Sequence, residues 1–99
     1  MAVSRERIEY DYREMLELSA RINRAVSELE NIKQGLDSSL SELGGYWKGD
    51  SAKDYMGQGQ DVSNLMQKNI RYLKSIASGI KKTATAYREA EYAKIGENE

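Results

Sequence analysis

The 99-residue chain contains no cysteine, no histidine and no proline. Without Cys or His there is no disulfide framework, no thiol nucleophile, no imidazole acid–base pair and no zinc site built on those ligands. Missing proline removes the strongest helix breaker, and long unbroken helices are the simplest reason for it. Long hydrophobic runs are lacking too. None exceeds three residues, as at Met1-Ala2-Val3, so neither a membrane span nor the apolar segment of a signal peptide is expected. Nor does one sign of charge dominate: fifteen Lys+Arg against sixteen Asp+Glu leave a net charge of −1, which suits neither a bulk nucleic-acid binder nor an acidic tail. What is present, 39% hydrophobic and 31% charged residues, is enough for one small domain with a thin core.

The hydrophobic residues recur with a step of seven. In the first half Ile8, Met15, Ile22, Leu29, Leu36 and Leu43 form a row, flanked by Leu18, Ala25 and Ile32 on one side and by Tyr12, Val26 and Leu40 on the other. Apolar residues at i, i+3, i+4 and i+7 make one stripe on an α-helix and fit no strand pattern. The second half repeats this with Ala52, Gly59, Met66, Leu73, Ile80 and Tyr87. Here Tyr55, Val62, Ile76 and Ala90 lie to one side, and Met56, Ile70, Ala77 and Ala84 to the other. Gly57, Gly59 and Gly79 interrupt the second stripe; either they admit a neighbouring backbone or they mark a kink. The spacing predicts a single domain over 1–99: a helix over about 5–43, a second over about 51–93, and a fraying tail over 94–99.

Between the stripes lies Leu43-Gly44-Gly45-Tyr46-Trp47-Lys48-Gly49-Asp50-Ser51. The glycine pair suits a left-handed helix C-terminus, and Gly49 can supply another positive-φ position. Ser51 followed by Asp54 reads as an N-cap with a capping-box acid. A stop, a short loop over about 44–50 and a start bring the helices back antiparallel. The fold class is therefore all-α, an antiparallel two-helix hairpin. Two helices touching along one line leave part of each stripe wet, so the hairpin needs a partner, most simply a second hairpin completing a four-helix bundle. An identical chain or a sister protein with a matching stripe would serve, and the homodimer is the reading preferred here. Residues 68–94 hold seven basic and two acidic residues, and residues 1–43 six basic and nine acidic. Glu6, Glu9, Glu14 and Glu17 should thus face the basic end of the second helix, biasing register without driving folding.

The only tryptophan, Trp47, stands in the turn. It can plug the end of the bundle, anchor another protein, or do both. Near the other end of the chain, Tyr87 and Glu91 stand at i and i+4 and so share a helix face; the plain alternative is that Tyr87 merely continues the core row. Trp47-Lys48-Gly49 between two amphipathic helices, with Tyr87-Arg88-Glu89-Ala90-Glu91 matching a Tyr-x-x-x-Asp/Glu pattern, resembles the WXG-motif (ESAT-like) family across essentially the whole chain. That resemblance implies a small non-enzymatic substrate of the type VII (ESX) secretion system, exported folded as a helical dimer. It further implies that Trp47, Lys48 and Gly49 form the turn element and Tyr87 and Glu91 the export signal. The core and dimer stripe would be Ile8, Met15, Ile22, Leu29, Leu36, Leu43, Met66, Leu73 and Ile80. The implied partners are a second copy or a sister protein, the secretion ATPase and a larger co-secreted substrate. The implied location is cytoplasmic before export, then secreted without a cleaved signal peptide. The competing reading is a cytoplasmic adaptor or chaperone-like hairpin pairing with a helical domain of a larger toxin.

Other chemistry finds little support. The basic run Lys68, Arg71, Lys74, Lys81 and Lys82 reads as a solvated face, because basic loops are missing and net charge is near zero. No nucleic acid and no stable membrane insertion are expected. The best carboxylate pairs, Asp50 with Asp54 and Glu28 with Glu30, fall on caps or solvent faces, with no activated nucleophile beside them. No metal and no cofactor are called for.

Overall fold

A computed structural model describes residues 3–98. The fold is all-α: helix α1 spans Arg5–Gly44 and helix α2 spans Asp50–Asn98, joined by five residues, with no strand among the described residues. Ser4 caps α1. Its Oγ accepts a hydrogen bond from the Arg7 amide at 3.1 Å and its carbonyl accepts from the Ile8 amide at 3.0 Å, so the side chain satisfies one otherwise unpaired donor and the carbonyl starts the helical ladder.

The turn differs from expectation in two respects. Gly49 is the only residue with positive φ among those described, at 107°, so Gly44 and Gly45 do not end α1 in a left-handed conformation. Instead α1 closes through tight backbone bonds, Gly45 to the Glu42 carbonyl at 3.1 Å and Tyr46 and Trp47 to that of Leu43 at 3.2 and 2.9 Å. The Lys48 ammonium adds a bond to the Gly44 carbonyl at 2.7 Å, placing a cation where the helix dipole is negative. The cap of α2 also moves. The Gly49 carbonyl accepts from the Lys53 amide at 3.1 Å, so Gly49 is the N-cap and Ser51 lies exposed in the first turn. At its far end α2 passes the expected boundary near 93. It continues to Asn98, with Ile95 half-buried and Lys94 paired to Glu91 at 3.1 Å; Glu99 lies outside the described residues.

Contacts divide the chain into two units. The terminal unit joins residues up to Arg24 with residues from Lys74 onward; the turn unit is Ala25–Leu73. In the terminal unit Ile8, Ser19, Ala77 and Ala84 are buried. The Ser19 hydroxyl donates to the Ala77 carbonyl at 2.8 Å, which satisfies a polar group that would otherwise be costly to bury. In the turn unit Val26, Ala52, Ser63 and Ile70 are buried. The Ser63 hydroxyl donates to Asp37, which also accepts from Lys33 at 2.8 Å. Gly59 lies directly under Leu40, where an added Cβ would sit 2.5 Å from Leu40 Cδ2. Gly59 therefore serves close approach, while Gly57 and Gly79 face open space. No helix among the described residues is long and apolar enough to cross a membrane.

Candidate functional site

Two groups of residues stand out, one in each unit. In the turn unit Trp47 is half-buried and its ring meets that of Tyr55, with centroids 5.5 Å apart and planes tilted by 56°. Gly44, Lys48, Gly49, Ala52 and Met56 line the hollow beside it. Lys48 is engaged on the helix end, and Gly49 holds the one backbone conformation that L-residues rarely adopt. The Trp-x-Gly triplet is thus a turn in which one glycine both ends the loop and starts α2.

In the terminal unit Tyr87 is half-buried, and its hydroxyl donates to Asp11 at 2.6 Å. Asp11 is also paired with Arg7 at 3.0 Å. The hydrogen bond to Asp11, followed by desolvation and by the charges of Asp11 and Glu91, pushes the Tyr87 phenol up to about 12. Next along the chain, Arg88 grips Glu9 with two nitrogens at 2.7 and 2.8 Å. Its guanidinium lies 5.0 Å from the centre of the Tyr12 ring and 5.6 Å from that of Tyr92, within cation–π range. The bond from Arg88 holds the Glu9 carboxyl below the usual range. Glu91 shares the helix face of Tyr87, its side chain only 14% exposed and paired with Lys94.

Over residues 7–92 the chain matches the family model WXG100, described as proteins of 100 residues with WXG. The chain belongs to the WXG100 family. Trp47, Gly49, Tyr87 and Glu91 all fall inside the matched span. WXG100 proteins are small helical secreted proteins, typically type VII secretion substrates, generally acting as dimers and not known as enzymes. No curated protein and no solved structure matched the chain.

The predicted stripe of this WXG100 chain is distributed unevenly. Ile8 is fully buried, whereas Met15, Ile22, Leu29, Leu36, Leu43, Met66, Leu73 and Ile80 are half-buried. The tightest packing on α2 belongs to the neighbouring seven-step column Ser63, Ile70, Ala77 and Ala84. Two of the buried positions, Ser19 and Ser63, are polar, so a search for apolar residues passes over them. On one side of the turn unit Leu36, Leu40, Leu43, Tyr55, Gly59 and Val62 line an apolar groove. Tyr55 and Val62 there remain 55% and 51% exposed, and Ile32 elsewhere on α1 is 59% exposed. Another hollow of the same unit is polar, lined by Glu30, Lys33, Gln34, Asp37, Glu42 and Gln67 among others.

Of the four acids expected to face α2, Glu9 forms the cross-helix pair with Arg88, while Glu17 turns to Arg21 and Arg24 of its own helix. Lys68, Arg71, Lys74, Lys81 and Lys82 are exposed, as are Asp50, Asp54, Glu28 and Glu30. No group of three or more His, Cys, Asp or Glu among the described residues could hold a metal ion. The partners of Tyr87 and Arg88 had no signal in the sequence beyond charge bias, because Asp11 and Glu9 become neighbours only through the antiparallel register.

Proposed function

We propose that this chain is a substrate of the type VII secretion system, exported folded as a dimer of hairpins and acting by protein–protein contact. The observation that carries this reading is the WXG100 match across residues 7–92, with Trp47-Lys48-Gly49 at the turn and Tyr87 and Glu91 on one helix face. The dimer partner is a second copy or a sister WXG protein, seated on the half-buried row and its exposed flank. Burying that surface follows the hydrophobic effect, about 25 cal/mol for each Å² of apolar area removed from water. The turn of one chain, with Trp47 and Gly49, and Tyr87 with Glu91 of its partner form the composite signal that docks on the secretion ATPase. A larger co-secreted substrate is the further partner this arrangement suits.

The apolar groove with Tyr55 and Val62 exposed along it would equally accept a helical domain of a larger protein, which favours a cytoplasmic pairing role as the second reading. Export separates the two. Wild type and Tyr87→Ala expressed in the source bacterium are assayed in cells and medium beside a cytosolic marker. Wild type in the medium with the variant retained supports the export reading. Retention of both, each still helical, favours the cytoplasmic role.

A further inference from the structure

Tyr87 is held more firmly than a core aromatic requires. Its hydroxyl meets an ionised carboxylate at 2.6 Å, and that carboxylate is itself fixed by Arg7 at 3.0 Å. Charge-assisted bonds of this length are the strong ones. Packing alone would be served by phenylalanine, whose ring is the same without the hydroxyl. The adjacent residue is tied as well, Arg88 to Glu9 with its guanidinium over Tyr12 and Tyr92. Successive residues lie about 100° apart around a helix. Tyr87 and Arg88 therefore leave α2 in different directions, and Asp11 and Glu9 meet them on different faces of α1. Two such ties fix the rotation of α2 about its own axis, and with it the direction in which Glu91, four residues beyond Tyr87, is displayed.

We propose that Asp11 is a positioning residue for the export signal: by holding the Tyr87 hydroxyl against α1, it sets the joint presentation of the Tyr87 ring and the Glu91 carboxylate. This rests on the reading of Tyr87 and Glu91 as that signal. Its consequence is that the secretion machinery reads a docked two-helix surface, in which α1 takes part through Asp11, Arg7 and Glu9. A tyrosine on a lone helix would not offer the same surface.

The test compares Asp11→Ala, Tyr87→Phe, their double variant and Tyr87→Ala in full-length protein. It reads the exported fraction, far-UV circular dichroism, and the ionisation of Tyr87 by carbon-13 tyrosine labelling. Asp11→Ala should reduce export about fivefold, Tyr87→Phe should do the same, and the double variant should add little, as coupled residues behave. The Tyr87 phenol should fall from about 12 toward its ordinary value of 10.0 in Asp11→Ala, and Asp11→Glu should restore part of both effects. Normal export of Asp11→Ala with Tyr87→Ala retained overturns the positioning role and leaves the signal intact. An unmoved Tyr87 titration in an export-defective Asp11→Ala also overturns it. Should Asp11→Ala lose its helicity, Tyr87→Phe decides, and undiminished export of that variant overturns the proposal. Normal export of Tyr87→Ala removes the signal reading itself, and the inference with it.

Discussion

In the terminal unit, α1 and α2 are tied by side chains that reach across with direction: Tyr87 to Asp11, Arg88 to Glu9, Ser19 to the Ala77 carbonyl. In the turn unit, the chain connection itself keeps the helices together, and the contacts lean on closeness: Leu40 over Gly59 and the buried Val26, Ala52 and Ile70, with a polar tie from Ser63 to Asp37. The contrast follows from connectivity. Where a five-residue turn joins the helices, little entropy stands between them and pairing. Away from the turn no short link holds the helices, and directional bonds there fix register that the turn does not supply. The same division separates the two groups of candidate residues. The turn carries Trp47 beside Gly49 at positive φ, and the terminal unit carries Tyr87 tied to Asp11.

The largest expected effect probes the packing that both units share. Ile70→Ala in the turn unit and Ile8→Ala in the terminal unit each delete a buried side chain and should each cost about 3 kcal/mol. Thermal unfolding with two probes sharpens the contrast, because Trp47 reports the turn unit while circular dichroism reports all helix. Loss of the Trp47 signal ahead of total helicity is expected for Ile70→Ala and not for Ile8→Ala; identical behaviour would erase the distinction between units. Next in size is Gly49→Ala, which forces a side chain into φ 107° and should destabilise by about 1–2 kcal/mol in chemical denaturation.

Glycines in α2 give a signed comparison. Gly57→Ala meets open space and should stabilise by about 1 kcal/mol through helix propensity. Gly59→Ala gains the same propensity but drives its Cβ into Leu40, so its net effect should be neutral or unfavourable. Equal stabilisation by both would mean that Leu40 and Gly59 are not in contact. The smallest effect is the pH dependence, which on the alkaline side includes the Tyr87 bond of the terminal unit. The Tyr87 phenol is raised to about 12 by Asp11. Its contribution is full below the ordinary value near 10 and is lost as pH rises through about 12. Wild type should therefore lose helicity over that window, and Tyr87→Phe should lack the Tyr87 part of the step. On the acid side Asp37 is lowered by Lys33 and then Ser63, and Glu9 by Arg88. Acid therefore weakens both units, as pH falls through these lowered values.

Legibility in the sequence followed the physics of each feature. The two helices and the turn between them could be read because a seven-step apolar row is a one-dimensional pattern. Ser19 and Ser63 could not, since a buried serine is recognised only by its hydrogen bond. The caps were shifted: Ser51 and the glycine pair matched common capping patterns, while Gly49, by taking positive φ, assumed the N-cap itself. The second helix passed its expected end because Ile95 and the Lys94–Glu91 pair extend the helical face. Trp47, Gly49, Tyr87 and Glu91 stood out by residue type and spacing. Asp11 and Glu9 did not, since their meaning depends on which residues of α2 the fold sets beside them.

The measurement that bears most directly on the composite signal is complementation between two retained variants. Trp47→Ala and Tyr87→Ala, each retained when expressed alone, are co-expressed with different tags, and both are followed into the medium. A mixed dimer has one end with Tyr87 of the first variant and Trp47 of the second both intact. The account predicts that co-expression restores export of both chains together. Continued retention of both, with mixed dimers demonstrated in the cell, would contradict it.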